Sequence, residues 1–300
     1  QLPGGVEILL RPDYPDRLQR LYDTVARWNE LPFRPVADIG RFPVVLDGRA
    51  MAQLVGSTVN FALDGDRASG IEADTAGRSF LAPALDVLNA PAPHFSPLLT
   101  ARASRSLPSS MAVGWDDDGV VPENYTLVEA GRVVDFHTTR ETAPMLESWY
   151  RQHGRPLRSH GGAIAEMPDR VPTGVGGQVT VEAARAATSV DDLVRDISHG
   201  FLLVNAVVTT SPRLSLGWIS PNPIDGVMLE IRNGVPVART IGRLQFATQS
   251  MLGSKNLRAL GDATTMHSTE SRTAKGMPWQ GVMQRITAPA AFCSDVDLVL

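Results

Sequence analysis

Between residues 48 and 63, apolar side chains recur around almost the whole circumference of a helix. Met51, Leu54, Val55, Val59, Phe61 and Ala62 leave no broad polar face to turn toward water. Such a helix must be covered from several sides, so the rest of the chain is expected to wrap it. It follows a short apolar strand at 42–47. It runs out at Asp64-Gly65-Asp66, where glycine can take a left-handed cap.

The covering layers read mainly as strands. Residues 125–136 form a hairpin turning at Ala130-Gly131. Residues 227–237 form another turning at Asn233-Gly234, the stronger turn signal. The run 201–208 reads as a core strand that could also serve an interface, and 5–10 as a short strand. Helical periods occupy 16–29, 140–152, 190–199 and 244–260, and Ser189 with Asp192 forms a capping-box-like start. Residues 70–110 are rich in Ala, Pro and Ser, have no sustained period and read as loop. Strands and helices do not alternate as a parallel sheet would demand. The expected fold is therefore α+β, with antiparallel sheets and hairpins wrapped around a buried central helix. The proline-containing link at 31–41 is the boundary. Residues 1–40 read as the end of an N-terminal domain plus linker, and 41–300 as the main domain. The opening Gln1-Leu2-Pro3 suggests a fragment or a trimmed product.

The net charge of −4 and scattered arginines make no basic stripe, which argues against nucleic acid as the ligand. No apolar run is long enough to span a bilayer. The lone Cys293 excludes a disulfide framework within this chain, and a reducing cytoplasm is the expected compartment. Lys255 and Lys275 are the only lysines, a bias we attribute to a GC-rich genome. The six histidines, at 94, 137, 153, 160, 199 and 267, show no pair at ligand spacing. Asp116, Asp117 and Asp118 read as a turn, because the alternating spacing of a calcium loop is missing. Gly174, Gly176 and Gly177 read as a flexible loop, and His160, between Ser159 and Gly161, as a loop residue.

Taken in order, several of these segments carry a resemblance. The strand ending at Asp47 is followed by a helix ending in Ala62-Leu63-Asp64-Gly65-Asp66. Then come Asp116 to Val120, the hairpin 125–136, the hairpin 228–237 and Leu260-Gly261-Asp262. Their succession over roughly 40–285 resembles the C-terminal domain of the TldD/TldE (PmbA) metallopeptidase family. In that family the helix carries His-Glu-x-x-x-His, and a later cysteine completes a zinc site. Here Gly56 and Phe61 stand at the two His positions, Ser57 at the Glu position and Thr273 at the cysteine position. No catalytic residue and no metal is therefore expected in this chain.

The resemblance implies a TldE-like, zinc-motif-less subunit of a heterodimer, with zinc held by a homologous TldD-like partner. It also implies a chamber for peptide or peptide-like substrates, toward which Asp66 and His160 are the candidate binding residues. The alternative is a divergent, metal-independent hydrolase or amide-processing enzyme of a natural-product pathway. Ser57 could be proposed as a replacement nucleophile, but no Gly-x-Ser-x-Gly elbow surrounds it, and it reads as a small polar helix residue packing at the Glu position.

Overall fold

The computed structural model describes residues 10, 12, 14–35, 39–81, 94–105, 112–174, 176–211, 216–247 and 251–299. The strand expected at 5–10 lies outside the described residues apart from Leu10. The chain begins with α1 (Tyr14–Glu30), β1 (Gly40–Leu46), α2 (Gly48–Val55), a π-helical turn (Gly56–Asn60) and α3 (Gly65–Ser69). It continues with β2 (Ala101–Ser104), β3 (Tyr125–Glu129), β4 (Arg132–Val133), α4 (Glu147–Gln152), β5 (Ala163–Ile164), β6 (Thr173–Gly174), β7 (Gln178–Val181) and α5 (Val190–Val194). Ten strands follow. They are β8 (His199–Val204), β9 (Ala206–Ser211), β10 (Leu216–Pro221), β11 (Val227–Arg232), β12 (Val235–Thr240), β13 (Arg243–Ala247), β14 (Leu257–Leu260), β15 (His267–Lys275), β16 (Gln280–Ala288) and β17 (Ala291–Val299).

The central helix is buried as its pattern requires. α2 touches β15 and β16 of a six-stranded sheet ordered β15-β16-β7-β2-β3-β4. It also touches β9, β1 and β8 of a nine-stranded sheet ordered β12-β11-β8-β1-β17-β13-β10-β9, with β14 added on β17. Met51, Leu54 and Val55 are fully buried between them. On β1, Val44 and Leu46 face this core, while Val45 joins Leu193, Val194 and Ile197 on the other side of the sheet. That split is the period-two alternation of a strand with both faces covered.

The fold is α+β, and its sheets are mixed rather than purely antiparallel. β1 runs parallel to β8, and β7 parallel to β16. Parallel neighbours need long crossovers, so no local hairpin signal announces them. Both foreseen hairpins are present. Ala130 (φ 46°) with Gly131 (φ 79°), and Asn233 (φ 50°) with Gly234 (φ 77°), supply the paired left-handed residues such turns need. Ser189 and Asp192 form the capping box at α5, but the helix stops at Val194 because His199 onward is drawn into the sheet. Similarly, 140–152 is helical only from Pro144, first as a 3-10 turn and then as α4.

The helix expected at 244–260 is absent from its described part, which holds β13 and β14. Leu244 and Phe246 point inward while Arg243 and Ala247 are exposed, and pairing with β10 and β17 overrides a helix-like spacing of apolar residues. The run 201–208 divides at Asn205 (φ 47°) into β8 and β9, which part company in the sheet. Asp47 secures this junction. Its carboxylate caps α2 by accepting from the Ala50 N–H at 2.8 Å and also accepts the Asn205 N–H at 3.0 Å. Among the described residues no helix is long and apolar enough to cross a membrane.

Gly65 does not take the left-handed cap; Gly70 (φ 92°) takes that conformation, after α3. Glycine is needed at 65 for proximity, since a Cβ there would lie 2.3 Å from the His137 carbonyl oxygen. Gly65→Ala is therefore expected to destabilise the protein by about 2–3 kcal/mol. Gly114→Ala, where an added Cβ meets nothing within 4 Å, should stay within about 0.5 kcal/mol of the parent. Urea unfolding midpoints of the two variants check this.

Candidate functional site

The helix 48–63 leads straight to a cleft. After α2 the backbone widens into the π-helical turn, a distortion frequent at functional sites. Gly56, Ser57 and Phe61 then line an open cleft of about 770 Å³ together with Thr273 of β15. The four positions singled out in the sequence, 217 residues apart at their extremes, thus meet on one surface. Ser271 and Gln284 complete this wall, Arg78 and Trp279 lie on the rim, and Val208 and Thr210 face it from β9.

Arg67 reaches this cleft from α3. Its side chain is largely buried, its guanidinium lies 3.9 Å from the centre of the Phe61 ring, and its Nη2 donates to Thr273 Oγ1 at 3.4 Å. Burial lowers its proton affinity, opposed by Asp64, Glu72 and Asp66, yet a guanidinium stays charged in any protein setting. A Cβ added at Gly56 would stand 3.3 Å from Ile286 Cγ1 and 3.4 Å from Gln284 Nε2, so β16 presses closely on the backbone here.

Behind the wall sits a fully buried ammonium. Lys275 Nζ donates to both carboxylate oxygens of Asp64 at 2.9 and 2.7 Å, to Asp66 Oδ2 at 2.9 Å, and to the Gly174 carbonyl. Asp66 Oδ2 also accepts the Gly174 N–H at 2.9 Å. The end of the central helix, β6 and the end of β15 are therefore tied together at one point. Asp66, a candidate for substrate binding, is engaged here and does not line the cleft. The rarity of lysine in this chain, attributed above to coding bias, has a structural side at Lys275. A compact ammonium with three donors fits a pocket that a planar guanidinium would not.

His160 is likewise not a solvated loop residue. It is buried and stacked on Tyr125 with ring centres 3.8 Å apart. Its Nδ1 lies 3.3 Å from Glu123 and its Nε2 3.1 Å from Asp135. Burial alone would raise the Asp135 carboxyl, but the nearby His160 together with the hydrogen bonds from the Tyr150 hydroxyl and the Phe136 N–H outweighs it and holds it below the usual range. His137 stands beside this group, between Asn60 and Tyr125. Burial, then the charges of His160 and Lys275, push its proton affinity down to about 3. Gly174, Gly176 and Gly177 do not form a flexible loop but pack tightly. A Cβ at Gly176 would meet Asn60 Oδ1 at 2.3 Å, and one at Gly177 would meet Arg105 Cγ at 2.4 Å. Asp116 closes the foreseen turn by accepting the Asp118 and Val120 N–H groups.

For chemistry, the cleft offers donors and few acids or bases. Asp74 is the one carboxylate among its lining residues, against Arg67, Arg78 and Arg272. The Ser57 hydroxyl has no hydrogen bond to a described histidine or carboxylate, so nothing positions a base on it. Burial pushes the Cys293 thiol up to about 12, which leaves it inert. Among the described residues no three His, Cys, Asp or Glu side chains gather as a metal would need. Sequence reading missed Arg67, Lys275 and the buried partners of His137, because none of these contacts is local in the chain.

Two predictions follow from these buried charges. Lys275→Met leaves Asp64 and Asp66 without their counter-ion and is expected to destabilise by about 3–5 kcal/mol, read by chemical unfolding. Because His137 binds a proton more weakly folded than unfolded, the unfolded chain holds more protons between about pH 3 and 6.5. Stability should rise with pH across that window and fall as acid is added. His137→Gln should remove a slope of at most about 1.4 kcal/mol per pH unit, measured from urea midpoints.

Comparison with known proteins gives this arrangement a context. A family profile described as the PmbA/TldA metallopeptidase C-terminal domain matches residues 39–296. TldE from Thermococcus kodakarensis has a similar fold, with a TM-score of 0.66 at 16% identity over 96% of this chain and 56% of its own. A candidate modulator of DNA gyrase from Bacteroides thetaiotaomicron gives 0.62 at 16% identity, over 94% and 51%. Another from Thermotoga maritima gives 0.57 at 12%, over 89% and 51%. The chain thus spans about half the length of these solved relatives. No protein of curated function matches its sequence.

Proposed function

This chain belongs to the PmbA/TldA metallopeptidase family through its C-terminal domain, and on that premise we propose that it is a zinc-free, TldE-like subunit that positions peptide for a zinc-bearing homologue. The observation that carries this reading is the lining of the cleft. Gly56 has no side chain to coordinate with, Ser57 and Thr273 offer only weakly ligating hydroxyls, and Phe61 presents a hydrocarbon wall. The close approach of β16 at Gly56 and the guanidinium of Arg67 between Phe61 and Thr273 are unfavourable to a divalent cation. These residues do not fit zinc, and no catalytic step is assigned to them.

What they suit is holding an extended chain. β9 and β15 are the terminal strands of their two sheets, and both line the cleft. Each presents a backbone edge to which a peptide can add as a further strand. In this reading the reaction belongs to the partner's metal, in the cytoplasm, and this subunit closes the chamber and presents the substrate.

Co-expression with a zinc-bearing homologue, followed by sizing and zinc analysis, tests the proposal. A heterodimer whose zinc depends only on the homologue's histidines is expected. If the isolated chain bound stoichiometric zinc or cleaved peptides unaided, the subunit reading would be wrong.

A further inference from the structure

A file of hydrogen bonds runs from the interior to the wall of the cleft, and its direction can be worked out. The Tyr125 hydroxyl lies 2.5 Å from His137 Nδ1, and His137 Nε2 lies 2.7 Å from Asn60 Oδ1. Asn60 Nδ2 is 2.5 Å from Gln284 Oε1, and Gln284 Nε2 is 2.9 Å from Ser271 Oγ. His137 is neutral at ordinary pH, so only one of its nitrogens carries a proton. If that proton sat on Nδ1, the phenol of Tyr125 would have to accept it. Nε2 would then have no proton to give to Asn60 Oδ1, an oxygen that can only accept. The phenol therefore donates to Nδ1, the imidazole donates from Nε2 to Asn60, Asn60 donates to Gln284, and Gln284 donates to Ser271. Every donor points toward the cleft.

Ser271 thus receives a hydrogen bond and keeps its own proton to give. Thr273 lies two residues further along β15, on the same face of the strand, and also lines the cleft. Its oxygen accepts from Arg67, so its proton is likewise available. Arg67 is 6% exposed, its Nε has no hydrogen-bond acceptor, and the nearest carboxylate, Asp64, is 3.9 Å away and engaged by Lys275. One short stretch of wall therefore presents two hydroxyl protons and a guanidinium that is not fully satisfied.

We infer that this stretch, Ser271, Thr273 and Arg67, is a subsite for a carboxylate, either the C-terminus of a peptide or an acidic side chain within it. The assignment deepens the substrate-positioning role proposed above and rests on it. A carboxylate offers two oxygens in a plane, which suits a guanidinium edge flanked by hydroxyl donors. The charges nearby nearly cancel. Arg67 and Lys275 face Asp64, Asp66 and Glu72, with Arg78 on the rim, so donor geometry rather than an excess of positive charge selects the ligand. Glu72 is already held by the Ala76 and Gly276 N–H groups.

Titration of the full chain with dansyl-tetraalanine, followed by dansyl emission, tests the subsite. Three probes are compared: the free acid, its C-terminal amide, and the amide with one alanine replaced by glutamate. The acid, the glutamate probe or both should bind at least about tenfold more tightly than the plain amide, and which of them does so identifies the source of the carboxylate. Ser271→Ala and Thr273→Val should each reduce that preference, whereas Gly114→Ala, outside the cleft lining, should leave it unchanged. The Ser271 and Thr273 variants alter half-buried strand positions, so they keep the test meaningful if Arg67→Gln fails to fold. Equal binding of all three probes, absence of binding, or a preference that survives both variants overturns the inference. A zinc-bearing heterodimer without carboxylate preference would sink this subsite and spare the subunit reading. A preference in a chain that never pairs with a homologue would do the reverse.

Discussion

The arrangement of the cleft depends on one buried ammonium. Lys275 is removed from water, and Asp64, Asp66 and the Gly174 carbonyl surround its amino group and accept its hydrogen bonds. Those three partners belong to the end of the central helix, the start of α3 and β6, while Lys275 itself ends β15. The contact therefore fixes the distance between the helix that floors the cleft and the strand that walls it. It also sets where Thr273, two residues before Lys275 on the same face, meets Arg67. Lost pairing here would disturb the cleft and the fold together.

The helix held in this way is unusual in being both core and floor. Its first two turns are sealed between sheets, capped by Asp47, whose second oxygen-to-backbone bond reaches the break between β8 and β9. Its last turns widen into the π-helical stretch and reach the cleft at Gly56, Ser57 and Phe61, of which Gly56 is buried and the other two are half-buried. A single apolar segment thus carries the packing at one end and the ligand-facing surface at the other. Changes that loosen the core should therefore be felt in the cleft, because α2 and the π-helical turn share one continuous backbone.

The cleft lies beside two strands, β9 and β15, that are terminal in their sheets among the described residues, and its lining is rich in hydrogen-bond donors. Tyr125, His137 and Asn60 do not line the cleft, yet they determine which way the amide of Gln284 points and so which groups Ser271 has left to offer. Buried polar files of this sort lend direction to surface hydroxyls that would otherwise rotate freely. The buried histidine is then a positioning group, and its low proton affinity keeps the file in one polarity through the neutral range.

Much of this was readable in the chain itself. The all-round apolar pattern of 48–63, the two left-handed turn pairs and the Ser189 capping box each depend on residues close in sequence, where sterics and local hydrogen bonds decide the outcome. The succession of those segments also pointed to the family. Other features were decided only by tertiary packing. The parallel pairings, the strands β13 and β14 in place of a helix and the inward turn of Asp66 and His160 all rest on partners dozens or hundreds of residues away. So do the salt bridge of Lys275 and the reach of Arg67 to Thr273. Local propensity carries no record of such partners, and the free energy of burying a charge exists only once the surrounding walls have closed.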